Sequence, residues 1–186
     1  NYAGKIGFTL SPQKPDVLYA SIELEKRNGA VYKSEDRGSS WKKMSDLSLG
    51  YGTGPHYYQE LFASPHKFDR LYLMNVRILT SEDGGKTFVE LTERSKHSDN
   101  HAIAFREDDP NYLLVGTDAG IYESFDLAKT WKYHKNLPIT QFYKVAVNNA
   151  YPFYHIFGGT QDNGSAGGPS RTDERQGIRN AHWYKI

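Results

Sequence analysis

His97, Asp99 and His101 alternate along the stretch KHSDNH, residues 96–101. Two imidazoles around a carboxylate are residue types for proton transfer, with the Asp as general acid or base and a neighbouring His as its partner. Two nitrogens and an oxygen are also metal-ligand types, although the spacing meets no established zinc signature. A third reading makes all three loop hydrogen-bonders that fasten adjacent sheets, since buried polar groups need partners. If the run is extended, its period of two points the three side chains the same way. The residues alone leave these readings open.

A second constellation occurs three times, as SEDRGSSW (34–41), SEDGGKTF (81–88) and SFDLAKTW (124–131). A catalytic role would need one chemistry repeated in every copy, so a structural turn is the better account. Asp36, Asp83 and Asp126 have the side chain that accepts backbone N–H groups of its own turn, beside Ser34, Ser81 and Ser124. Gly38 and Gly85 permit positive φ, and Ala128 departs from that pattern. Trp41, Phe88 and Trp131 then re-enter a sheet and supply packing.

The elements that carry these residues are set by repetition. The Ser of the motif recurs at intervals of 47 and 43 residues. A second signature keeps step with it: SPQKPDVLYA (11–20), SPHKFDRLYL (64–73), REDDPNYLLV (106–115) and, more loosely, VNNAYPFYHIF (147–157). Two signatures in step define a unit of about 42–47 residues, the size of a four-stranded propeller blade. Alternation and turn residues cut the units into short strands. The first has about 5–10, 17–22, 30–34 and 41–44; the second 59–63, 70–76, 77–81 and 87–91. The third has 102–105, 112–117, 120–124 and 130–133, and a fourth begins with 142–147 and 153–158 before the pattern fades.

Composition narrows the function classes. The chain of 186 residues has 23 basic and 22 acidic side chains, and no basic run interleaved with aromatics, so no nucleic-acid partner is expected. No apolar run reaches the length of a membrane span, and no signal-peptide pattern is seen. Cysteine is absent, which excludes disulfides, thiolate metal sites and a Cys nucleophile. With 14 Tyr, 9 Phe and 17 Gly, the chain suits short aromatic-rich strands joined by Gly turns.

The S-x-D-x-G-x-T-W motif at blade spacing resembles the Asp box, or BNR repeat, of sialidases, xyloglucan-active family 74 glycoside hydrolases and sortilin/VPS10-type receptors. The segments HSDNHAIAF, LLVGTDAGIYESFDLAKTW, NLPITQFYKVAV and GGTQDNGSAGGPSRT are similar to large secreted bacterial proteins with sortilin-like propellers. The resemblance covers essentially the whole chain. It implies an all-β β-propeller, with blades at about 5–44, 59–91, 102–133 and 142–186: three blades and part of a fourth within one propeller segment. It also implies that the first partner is the remainder of a longer chain of its own, in a secreted, periplasmic or cell-surface setting. The functions implied are a carbohydrate-active module, hydrolytic or glycan-binding, or a non-catalytic scaffold that binds protein or peptide. No cofactor and no resident metal are assigned.

In such blades the Asp boxes and the turns between first and second strands share one end, and the irregular loops collect at the other. The loop end receives 45–58, 92–101, 117–120, 135–141 and 159–172, and binding sites concentrate on loops like these. Glycoside hydrolysis uses two carboxylates across the substrate, so Asp99 needs a second from Asp118, Asp162 or Asp46. His56, Tyr57 and Tyr58 are expected to stack on a sugar ring or to line the channel. Gln161, Asp162 and Asn163 are expected to bond hydroxyls or to build a Gly-rich turn.

Overall fold

A computed structural model describes residues 4–24, 28–48, 58–137 and 140–186. Among the described residues sixteen short strands form four antiparallel sheets, most of them on alternating or fully apolar runs. The first blade holds β1 (Ile6–Leu10), β2 (Leu18–Glu23), β3 (Asn28–Ser34) and β4 (Lys42–Ser48). The second holds β5 (Leu61–Ala63), β6 (Leu71–Leu73), β7 (Leu79–Ser81) and β8 (Val89–Glu90). The third holds β9 (Asn100–Arg106), β10 (Asp109–Thr117), β11 (Gly120–Ser124) and β12 (Lys132–Tyr133). The fourth holds β13 (Phe142–Val147), β14 (His155–Thr160), β15 (Ser165–Pro169) and β16 (Tyr184–Lys185). Each sheet runs in sequence order, so consecutive strands are neighbours throughout. The chain divides into two compact units, Asn1–His134 with three blades and Lys135–Ile186 with one.

Within the first unit, strand periodicity sorts side chains between two cores. Leu71 and Leu73 pack with Val17, Tyr19, Val31 and Leu61 on one side of the second blade. Tyr72 and Met74 point the other way, onto Ile78, Ile103, Leu113 and Val115. The second blade is therefore buried on both faces, which is why LYLM shows no polar alternation. Each fully buried Leu contributes about 2–3 kcal/mol. In β1, by contrast, Ile6, Phe8 and Leu10 are 54–56% exposed while the intervening Gly7 is buried. A side chain at Gly7 would start 2.0 Å from the Gln59 carbonyl, so the first blade admits the chain entering the second only without a Cβ there.

The three Ser-Asp hairpins join β3 to β4, β7 to β8 and β11 to β12 with one geometry. Ser34, Ser81 and Ser124 donate to Asp36, Asp83 and Asp126 at 2.8, 2.8 and 2.9 Å. Each Ser oxygen accepts the amide four residues on, from Gly38, Gly85 and Ala128, at 2.8–2.9 Å. Each carboxylate accepts the amide and hydroxyl of Ser40, Thr87 or Thr130, at 2.6–2.9 Å. Two successive residues are left-handed in every copy: Arg37 and Gly38, Gly84 and Gly85, Leu127 and Ala128. The third copy holds this shape without glycine, Ala128 adopting φ 69°.

Each hairpin also docks on the turn between the first two strands of its own blade. The amides of Arg37, Gly84 and Leu127 donate to the carbonyls of Asp16, Asp69 and Asn111 at 2.8–3.0 Å. The two sequence signatures keep step because they are bonded to each other. Asp69 further takes the Tyr19 hydroxyl and the Lys33 ammonium (3.0 Å), joining the first blade to the second.

Three strands, β4, β15 and β16, depart most from the sequence expectation. β4 continues to Ser48, four residues past the expected end, so Asp46 lies on an outermost strand, paired with Lys43. The fourth sheet also goes on beyond residue 158, with β15 and β16. The sequence SAGGP carries no strand signal, yet its glycines are seats for aromatic rings: a Cβ on Gly168 would start 2.7 Å from the Trp183 ring. No Ser-Asp hairpin joins these two strands. A longer connection with a single 3-10 turn at Asn180–His182 replaces it, fastened by Arg179 and His182 on Glu174.

Substitutions at the hairpin glycines separate backbone strain from crowding. Gly85→Ala adds a left-handed alanine and a Cβ 2.6 Å from Val31 of the first blade, and is expected to cost about 2–4 kcal/mol. Gly38→Ala meets nothing closer than 3.5 Å and should cost about 1 kcal/mol. Equal losses in urea denaturation would show that the inter-blade contact is slack.

The hairpin carboxylates predict an acid limb to stability. The Ser40 and Thr130 hydroxyls and amides hold Asp36 and Asp126 at about 2, below the ordinary 3.8. At Asp83 desolvation is the largest single influence and opposes the effect, but the Thr87 amide and hydroxyl, with Ser81 and the Lys86 amide, together still bring it to about 2. Because the folded-state pKa is the lower one, this stabilisation is complete above about pH 4 and is lost as pH falls towards about 2. Asp83→Ala should cost about 1 kcal/mol at neutral pH and flatten the fall of Tm between about pH 5 and pH 2. An unchanged acid limb would remove the carboxylate from the hairpin's stability.

Candidate functional site

At the end of the first unit away from the Ser-Asp hairpins, five of the candidate residues come together. Tyr58 lies just before β5, His97 and Asp99 lie in the connection from β8 to β9, His101 is on β9, and Asp118 is in the β10–β11 turn. Backbone bonds fix this arrangement. The Asp99 amide donates to the Val76 carbonyl at 2.9 Å, and the Asp118 amide donates to the Asp99 carbonyl at 3.2 Å.

The run from His97 to His101 is not a continuous strand. β9 starts at Asn100, and Asp99 has φ 61°, so the period-two alignment of the three side chains fails there. Asp99 is instead turned onto Tyr58, whose hydroxyl donates to it at 2.8 Å, and it also accepts from the Ser98 hydroxyl at 2.9 Å. His97 approaches Asp99 only to 3.8 Å and donates its Nδ1–H to the Ser98 carbonyl at 2.9 Å. His101 pairs with Asp118 rather than Asp99, Nε2 to Oδ1 at 2.7 Å. The His101 ring stacks on Tyr58 with centroids 5.2 Å apart and planes 16° apart.

Two carboxylates are therefore brought to one end of the blade stack, Asp99 with a side chain 23% exposed and Asp118 with one 31% exposed. Tyr58 bridges them, one edge on Asp99 and its face on His101. Since Tyr58 is itself buried, its ring is closed to a sugar and serves as packing and hydrogen-bond donor. His56 and Tyr57 lie outside the described residues. Asp46, on β4, is not one of the converging carboxylates. Gln161, Asp162 and Asn163 form the β14–β15 turn of the second unit, where Asp162 has φ 63° and the Asn163 amide donates to the Gln161 carbonyl at 2.8 Å. The Gln161 side chain accepts from the Tyr143 hydroxyl. Among the described residues no three His, Asp or Glu side chains converge as a metal site.

A supporting network beneath Asp99 is invisible in the sequence. Lys96 and Glu93 are buried side by side, with Nζ and Oε1 2.8 Å apart. The Lys96 ammonium also donates to the His97 carbonyl at 2.9 Å and to Asn100. Asn100, fully buried, donates to Glu93 and to the carbonyls of Asn75 and Val76 at 2.9–3.1 Å. Tyr122 and Trp131 rings lie 5.8 and 5.3 Å from the ammonium. Burial pulls the Lys96 ammonium below the ordinary lysine range, with Glu93 opposing. TERSKHSDN reads as a solvated loop because only the packing of the third blade covers it.

No family model matches this chain, and no curated protein matches it in sequence. By structure it is similar to a GH74 enzyme from Niastella koreensis, with TM-score 0.57 and 15% identity over 96% of this chain and 29% of that one. An ancestral GH74 enzyme gives TM-score 0.57 and 15% identity over 97% and 27%. YCF48 from Cyanidioschyzon merolae gives 0.52 and 14% over 89% and 52%. The chain thus spans 27–52% of the length of these structures. The shared feature is the fold: all-β, built of β-propeller blades.

The buried ion pair is open to a double-mutant cycle. Lys96→Met strands a buried Glu93 carboxylate and should destabilise by about 3–5 kcal/mol. Adding Glu93→Gln should recover part of that loss, because the uncompensated charge is gone. Strictly additive losses in chemical denaturation would show that the two groups do not depend on each other.

Proposed function

We propose that the chain belongs to an Asp-box propeller, in a secreted, periplasmic or cell-surface protein, whose loop-bearing end takes carbohydrate. The observation that carries the reading is the approach of Asp99 and Asp118 to one end of the blades, each partly exposed and each held by its own aromatic partner. Two carboxylates on one face are the equipment of glycoside hydrolysis, and a protonated or ionised pair equally serves to bond sugar hydroxyls. Two of the structural neighbours are GH74 enzymes, which supports the same class. The remainder of a longer chain is a proposed partner, and the exposed row of Ile6, Phe8 and Leu10 supports it.

A second reading, a non-catalytic scaffold of the sortilin type that binds protein or peptide, is favoured by one observation. Both Asp99 oxygens already accept hydrogen bonds, from Tyr58 and Ser98, as in a group that fastens neighbouring loops.

Incubation with a panel of oligosaccharides, xyloglucan fragments included, separates the two. The carbohydrate reading expects binding by the wild type. Where the sugar is also cleaved, Asp99→Asn should abolish turnover with binding and folding kept, because the amide preserves shape and removes the proton-transfer group. Full turnover in Asp99→Asn would take Asp99 out of the mechanism. No binding to any sugar, together with a lowered Tm in that variant, would leave the scaffold.

A further inference from the structure

We infer that His101 is a hydroxyl-accepting imidazole, held by Asp118 with its Nδ1 lone pair open to a ligand. The assignment rests on the carbohydrate reading and names the group that meets the sugar. A carboxylate accepts, so at the 2.7 Å contact with Asp118 it is Nε2 that carries the proton. In the neutral ring Nδ1 is then bare. Nδ1 has no partner among the described residues, and the side chain is 37% exposed.

The ring is fixed in both of its freedoms. Stacking on buried Tyr58 sets its plane, and the bond to Asp118 sets its rotation, so a flip would forfeit the Asp118 contact. Asp118 is itself anchored, since its amide donates to the Asp99 carbonyl in the tight β10–β11 turn. An oriented lone pair beside two carboxylates suits a neutral O–H donor, a sugar hydroxyl or the water that accompanies it. His97 supplies an internal contrast. It donates Nδ1–H to the Ser98 carbonyl, so its bare nitrogen is Nε2. The two histidines are held in opposite tautomers.

Nitrogen-15 NMR of histidine-labelled protein at about pH 8.5, where imidazole is neutral, reads this directly. His101 should show the Nε2–H form and His97 the Nδ1–H form, and Asp118→Asn should erode the preference at His101 alone. A xyloglucan heptasaccharide should then shift the His101 Nδ1 resonance. His101→Phe, which keeps the stack on Tyr58, should bind that sugar about tenfold more weakly with Tm unchanged. An Nδ1–H form of His101 overturns the assignment outright. An unmoved Nδ1 with undiminished binding in His101→Phe also overturns it, while the carbohydrate reading stands. Failure of the wild type to bind any sugar overturns both the carbohydrate reading and His101 as its acceptor, leaving the tautomer spectrum as a measure of the Asp118 contact only.

Discussion

In each blade of the first unit one hydroxyl and one carboxylate close the hairpin between the third and fourth strands. Without them, two successive left-handed residues would leave several amides unpaired at a short turn. Ser34, Ser81 and Ser124 each meet the amide four residues on, and the paired Asp meets the amide and hydroxyl that follow. Such bonds are individually modest in water, about 1 kcal/mol, but they are local and order few residues. The hairpin amide then reaches the carbonyl of the neighbouring turn, so that end of the sheet is satisfied within the blade. Only with those polar groups closed are the faces free to stack.

Stacking divides the apolar residues by strand parity. Leu71 and Leu73 serve one interface, and Tyr72 and Met74 the other. The interfaces are also pinned by polar contacts between blades, notably Asp69 with Tyr19 and Lys33. Burial and the Asp69 carboxylate raise the Tyr19 hydroxyl well above the usual tyrosine range, so it remains a donor. Asp69 and Glu35 keep the Lys33 ammonium above its ordinary range against the burial that opposes it.

The two ends of the blades are held by different physics. The hairpin end is closed by residues within a few positions of each other and is half in solvent. The loop end is closed over longer sequence distances, by Asn100 on the carbonyls of Asn75 and Val76, with the local but buried Lys96–Glu93 pair packed against it. That pair gives the loop end a stiff floor at a desolvation cost, which its many hydrogen bonds offset. Asp99 is carried on this floor in a left-handed conformation, which its short polar side chain tolerates.

The fold was legible because its signals are local and periodic. The Ser-Asp motif, the turn signature before each second strand and the alternation of short strands are properties of neighbours in the chain, and repetition multiplied them. The strands of the first three blades follow that reading to within a few residues, apart from the longer β4. β15 escaped because Gly167 and Gly168 are there for the rings of Phe157, Tyr184 and Trp183, which approach from elsewhere in the chain. The site was legible only as a set of residue types. His97, Asp99, His101, Tyr58 and Asp118 all stand out in the sequence, but their pairing does not. A left-handed Asp99 breaks the alternation, sends its carboxylate to Tyr58 and leaves His101 to Asp118. Sequence by itself determined the blades, since hairpin chemistry and strand parity act over a few residues. Which carboxylate meets which imidazole, and that Lys96 and Glu93 are buried, was decided by the tertiary structure alone: His101 meets Asp118 only once β9 and β10 are paired, Asp99 meets Tyr58 from 41 residues away, and the Lys96–Glu93 pair is covered only when Tyr122 and Trp131 pack over it.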